Sequence, residues 1–162
     1  MRLAVIVTAI LLSSATAALA APASVTVTIG PDLQAEATKT LGVRDVNELA
    51  ARLQTTVEKR LANSAAYDGA RIELILSDVK PNRPTFKQMS DKPGLSYESF
   101  GIGGAKIEGR AVAANGAVTP IDYRYYESDI RQSQYGGTWS DAEGTFQRFA
   151  YDLGRGRAVA RH

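Results

Sequence analysis

Residues 105–125 constrain the fold of this chain more than any other stretch. An Asn115-Gly116 pair separates two runs that alternate apolar and polar side chains, which is the pattern of a β-hairpin. A two-residue loop would set Ile107 against Arg124 and Gly109 against Asp122, mixing core with solvent. A three-residue loop, Ala114-Asn115-Gly116, pairs Ala113 with Ala117, Ala111 with Thr119, Gly109 with Ile121, Ile107 with Tyr123 and Ala105 with Tyr125. One face is then consistently apolar, and a slip of one residue would invert every side chain. Gly116 is expected in the left-handed position that closes such a loop with a bulge.

The first strand of the hairpin is preceded by FGIGGAKIEG, residues 100–109. Phe100 and Ile102 are apolar at even positions, whereas Ala105, Ile107, Ala111 and Ala113 are apolar at odd ones. A change of phase at Gly103-Gly104 predicts a β-bulge inside one long bent strand, 97–113. Gly109 lies opposite Ile121 and diagonal to Tyr123, an arrangement in which an aromatic ring covers a glycine gap. The same glycines fail as a phosphate loop. Gly104 is followed by Ala105, Lys106 and Ile107 and then by a strand, so neither the P-loop nor the dinucleotide fingerprint is present. No helix N-terminus follows to receive an anion.

Upstream, Ser24–Ile29 alternates cleanly and reads as a half-buried strand. Residues 32–44 read as turn and irregular structure. Asp45-Val46-Asn47-Glu48 has the form of a capping box. The helix it opens carries Val46, Leu49, Leu53, Val57 and Leu61 on one stripe. Residues 71–79 form the second strand, with Ile72, Leu74 and Leu76 on one face and Ile75 pointing to cover on the other. Strand, helix and strand in this order form a βαβ unit with a right-handed crossover. Residues 80–95, KPNRPTFKQMSDKPGL, hold three prolines and read as a long ordered loop. Phe86 and Met89 are its expected pins to the core. Near the end, Ser140-Asp141-Ala142-Glu143 repeats the capping-box form. Its helix carries Ala142, Phe146, Phe149, Ala150 and Leu153, with Gly154 as the left-handed C′ residue that closes it. The order β-α-β-β-β-α predicts an α+β domain: one mixed or mainly antiparallel sheet with two helices on one face.

Residues 1–20 read as an export signal: Met1-Arg2, then the apolar run LAVIVTAILL, then a small-residue stretch ending Ala18-Leu19-Ala20. Cleavage near Ala20 would leave one domain, 21–154, and a basic tail, 155–162, outside the cytoplasm: periplasmic or secreted, with no stable membrane insertion. The tail holds Arg155, Arg157, Arg161 and His162 and reads as a solvated end. Without Arg2, 18 basic residues face 17 acidic ones, which gives no basis for nucleic-acid binding. The chain has no Cys, so disulfides, thiolate catalysis and Cys-ligated metals are excluded.

Little of the remainder looks like chemistry. Ser77-Asp78-Val79-Lys80 matches S-x-x-K, but on a strand Ser77 and Lys80 point to opposite faces. The only His is His162, which suits no Ser-His-Asp triad. No calcium loop is present, and no metal or cofactor is expected. Glu108 and Asp122 face each other on the polar side of the hairpin, the raw material of carboxylate hydrolysis. Arg110 and Arg124 are their diagonal neighbours, so a solvated charge ladder accounts for the four. Tyr123, Tyr125, Tyr126, Tyr135 and Trp139 crowd into one segment. Tyr123 and Tyr125 belong to the core face; Tyr126 lies on the charged face; Tyr135 and Trp139 flank a glycine-bearing loop. Aromatics of this kind are enriched at binding surfaces, and Trp139 can equally dock on the core.

Three segments, PNRPTF, GLSYESFGIGGAKIEG and TWSDAEGTFQRFA, resemble uncharacterised exported domains of Gram-negative bacteria. The resemblance implies a periplasmic location and no substrate or catalytic residue. The expected function is a non-catalytic binding or envelope-interaction module, with an envelope protein or small ligand as partner. Its contact residues are expected among Tyr126, Tyr135, Trp139, Arg110 and Arg124, beside the loops 80–95 and 126–139. The rival expectation is a small cofactor-free hydrolase using the carboxylates of the hairpin face.

Overall fold

The computed structural model describes residues 21–133 and 136–157. The leader at 1–20, Tyr135, and Arg161 and His162 of the tail therefore lie outside the described residues.

Four strands, β1 (Ser24–Ile29), β2 (Arg71–Lys80), β3 (Gly104–Val112) and β4 (Val118–Tyr126), form one sheet in the order β1-β2-β3-β4. β1 and β2 are parallel, and the other two pairs are antiparallel. The fold is α+β. Two long helices, α2 (Val43–Leu61) and α5 (Ser140–Leu153), pack on one face of the sheet and against each other, and a single short turn, α4 (Ile130–Ser133), precedes α5. Val46, Leu49, Leu53, Val57 and Leu61 form the buried stripe of α2. They meet Ile72, Leu74, Leu76, Ile107 and Tyr123 from the sheet and Phe146 and Phe149 from α5 in one core. Burial of each such side chain contributes roughly 1.5–3 kcal/mol relative to exposure.

The hairpin register is the expected one, from Ala105 against Tyr125 to Ala111 against Thr119. The loop closes with Ala113 donating to Ala117 at 2.9 Å, and Gly116 is left-handed at φ +86°.

The bulge, however, is in β2. Leu76 pairs with Ile107 and Asp78 with Lys106, so Ser77 is the extra residue. The apolar parity of β2 changes there, from Leu74 and Leu76 to Val79. Residues 97–103 are not strand: 97–98 are turn and 99–103 run without regular pairing. Gly103 and Gly104 are needed for close approach instead. A Cβ on Gly103 would lie 2.6 Å from the Lys80 carbonyl oxygen, and one on Gly104 would meet the Tyr126 ring at 2.7 Å. The aromatic that covers a glycine is thus Tyr126 over Gly104. Gly109 is pressed against backbone, with a Cβ position 2.1 Å from the Glu73 carbonyl oxygen.

Four local expectations need correction. Residues 32–44 are helical: α1 (Pro31–Glu36) starts with proline at its first position and runs through a π-helical turn, Ala37–Leu41, almost into α2. Leu33, Ala37 and Leu41, four apart, are buried. Neither predicted capping box forms. α2 begins two residues before Asp45, and Glu48 pairs with Arg44 at 3.1 Å. Trp139 holds the N-cap position of α5, and Glu143 reaches Arg52 at 2.5 Å. After α5, Gly154 keeps helical angles and Gly156 takes the left-handed conformation at φ +63°. Finally, Ile75 is not covered: it is 40% exposed on the face opposite the helices.

Candidate functional site

The segment 81–103 is built around prolines that flank a helix rather than forbid one. Between Pro84 and Pro93, α3 (Phe86–Asp91) opens with a complete capping box. Thr85 accepts from the Gln88 amide at 3.2 Å, and the Gln88 side chain accepts from the Thr85 amide at 3.0 Å. T-x-x-Q is the same sequence signal that misled at 45 and 140. Here it is decisive because no helical residue precedes it and Pro84 blocks an earlier start.

Asn82 holds this segment to the rest of the domain. It is 1% exposed, so its polar groups must find protein partners. Its amide nitrogen donates to Asp141 Oδ2, and its Oδ1 accepts from the Asp141 backbone N–H at 2.8 Å. Its backbone N–H donates to the Thr138 carbonyl at 2.8 Å, and its carbonyl accepts from Gly101 at 2.7 Å. Asp141 also accepts from the Gly103 N–H at 2.9 Å and from Ser133 Oγ at 3.5 Å. A side chain from a distant loop therefore satisfies an otherwise unpaired amide in the first turn of α5. Arg83 adds a second tie, donating to the carbonyls of Gly136 at 2.7 Å and Tyr97 at 2.6 Å and stacking over the Tyr97 ring. The PNRPTF, GIGG and TWSDAEG segments are thus joined by one hydrogen-bonded hub.

Beside that hub lies a cleft of about 510 Å³. Pro81, Pro84, Leu95, Phe100 and Leu41 supply its apolar lining; Lys80, Arg83, Glu36, Asp78 and Gln88 supply polar groups. Around it, Phe86 is 81% exposed, and Tyr97 and Phe100 are also exposed. Phe86 is therefore not the pin to the core that the sequence suggests. None of the three stands among the sequence's contact candidates, because the sequence reads Phe86 as a pin to the core and Tyr97 and Phe100 as part of the strand 97–113.

The second cluster is the open sheet face. Glu108 and Asp122 are directly opposite, as expected. Lys106 donates to Glu108 at 2.8 Å, and Ser77, re-aimed by the bulge, also donates to it. The Lys106 bond and then the Ser77 bond hold the Glu108 carboxyl below the ordinary glutamate range. A glycosidase acid needs the opposite shift. Arg110 pairs with Glu73 at 2.7 Å, and Arg124 is exposed. Tyr126 is half-buried and donates its hydroxyl to Asp78. Burial first, and then Asp78, push its phenol well above the usual tyrosine value. Tyr126 therefore acts as a neutral hydrogen-bond donor that seals the end of the sheet over Gly104.

The structure thus separates the sequence candidates. Arg110, Arg124 and Tyr126 share the open sheet face. Trp139 is partly buried against the core beside the hub. Tyr135 cannot be placed, being outside the described residues. Among the described residues, no group of three or more His, Asp or Glu side chains is arranged to hold a metal ion. No described helix is long and apolar enough to cross a membrane. Comparison of the chain with protein-family models, curated proteins and solved structures gave no match.

Proposed function

We propose that this protein works outside the cytoplasm, in the periplasm, as a non-catalytic binding module that engages an envelope protein or a small ligand through the cleft between 81–84, α3 and 95–101. One observation carries the proposal: the cleft walls are braced by Asn82 and Arg83 while Phe100 and Leu95 line its apolar side. A volume of about 510 Å³ falls within the range of ligand pockets. Apolar side chains share the lining with the charged Glu36, Asp78, Lys80 and Arg83, which suits a partner carrying both apolar and charged groups. The leader-like residues 1–20 and the resemblance to exported domains support the location.

A photo-crosslinking residue at position 100, compared with one at position 75 on the sheet face, tests the proposal in intact envelopes. Mass spectrometry should identify a discrete adduct from position 100 that position 75 does not give. Identical adducts from both positions, or none from position 100, would overturn it.

A further inference from the structure

Among the described residues, β4 is an outer strand with one row of backbone groups unpaired. Ala113 bonds Ala117, and Glu127 bonds Gly103, so odd-numbered residues of the hairpin exchange hydrogen bonds with β3. The even-numbered residues of β4 then direct their N–H and C=O groups away from the sheet. Pro120, which has no N–H to offer, occupies one of these outward positions.

The side chains on this edge are mismatched within the chain. Asp122 faces Glu108 and Arg124 faces Lys106, like charges directly opposite, which is unfavourable; within the chain Asp122 is offset only by its attraction to the diagonal Lys106, which Arg124 repels. Among the described residues, neither Asp122 nor Arg124 makes an ion pair or side-chain hydrogen bond.

We propose that β4 is a self-association edge, and that two copies of this chain pair antiparallel through β4 about a two-fold axis at Tyr123. That register sets Asp122 of each copy opposite Arg124 of the other. The neighbouring two-fold registers set Asp122 against Asp122 or Arg124 against Arg124, so charge selects one. Outward groups of Asp122 and Arg124 then exchange hydrogen bonds reciprocally, and the Tyr126 N–H donates to the carbonyl of Pro120, whose missing N–H leaves the Tyr126 carbonyl the one outward group of this stretch without a ladder donor. On the helix side, a groove of about 400 Å³ between β4 and α5, lined by Tyr125, Arg148 and Tyr151, lies beside the joining strands. The other edge, β1, carries no charge that would set a register.

Sedimentation velocity of the purified protein across a concentration series tests this. The dimer is expected, and Asp122→Arg or Arg124→Asp should each weaken it about ten-fold or more by placing like charges across the axis. Neither reversal should disturb the fold, checked by circular dichroism, because each puts opposite charges across β3 and β4. The double exchange, Asp122→Arg with Arg124→Asp, should regain the dimer. A protein monomeric at every concentration, a dimer indifferent to the single reversals, or a double exchange that stays monomeric would overturn the proposal. An edge that instead takes an extended segment of another protein would give the first of these results.

Discussion

Asn82→Ala should be among the most damaging single substitutions outside the apolar core. It removes two hydrogen bonds without touching any exposed surface. The bond to the Asp141 carboxylate is charge-assisted and contributes about 1.5–3 kcal/mol; the bond from the Asp141 N–H contributes about 1 kcal/mol. The expected loss is therefore about 3 kcal/mol, a large part of a domain stability of roughly 5–15 kcal/mol. Urea unfolding measures it, followed by the fluorescence of Trp139, the only tryptophan, two residues from Asp141. The midpoint should fall while the slope stays constant, since the surface exposed on unfolding is unchanged. A double-mutant cycle with Asp141→Ala should give a coupling of about 1–3 kcal/mol. A loss under about 1 kcal/mol, or additive single effects, would show that the hub does not hold the loop as described.

Further outcomes are expected elsewhere. Gly109→Ala should cost several kcal/mol, at least about 2 by analogy with overpacked cores, because its Cβ would collide with the Glu73 carbonyl; a near-neutral change in thermal unfolding would refute the packing. Trp139→Ala should lower stability by about 2 kcal/mol, measured by circular dichroism, whereas Phe100→Ala should stay within about 0.5 kcal/mol. Equal effects would contradict their assignment to core and cleft. The Glu108 carboxyl, followed by NMR, should titrate below the ordinary glutamate value, and Lys106→Met or Ser77→Ala should raise its midpoint. Because the folded value is depressed, its contribution is present above the unfolded value of about 4.3 and is lost as pH falls through the folded value. That contribution is small, since Glu108 is substantially exposed. A midpoint at or above the ordinary value would remove the electrostatic account.

Periodicity was the most legible part of the sequence. The hairpin register, both long amphipathic helices and the α+β class follow from apolar spacing alone, because a buried face permits only one phase. Local capping signals were not reliable guides to helix ends. Asp45 and Ser140 lie inside their helices because Leu33, Ala37 and Leu41 already draw the chain into helix upstream of α2, and Trp139 holds the N-cap position of α5. The bulge was assigned to the wrong strand because glycine is conspicuous, whereas the parity change from Leu76 to Val79 in β2 is not. The contact between Asn82 and Asp141 was illegible in principle. Nothing local links residues 59 positions apart, and only the folded sheet brings them together.

The claim that the loop-built cleft is the contact surface is tested most directly by affinity. Calorimetric titration of the partner captured at position 100 against the wild type and Phe100→Ala should show binding about ten-fold weaker in the variant, at unchanged unfolding midpoint. Equal affinity for the two proteins would place the contact surface elsewhere.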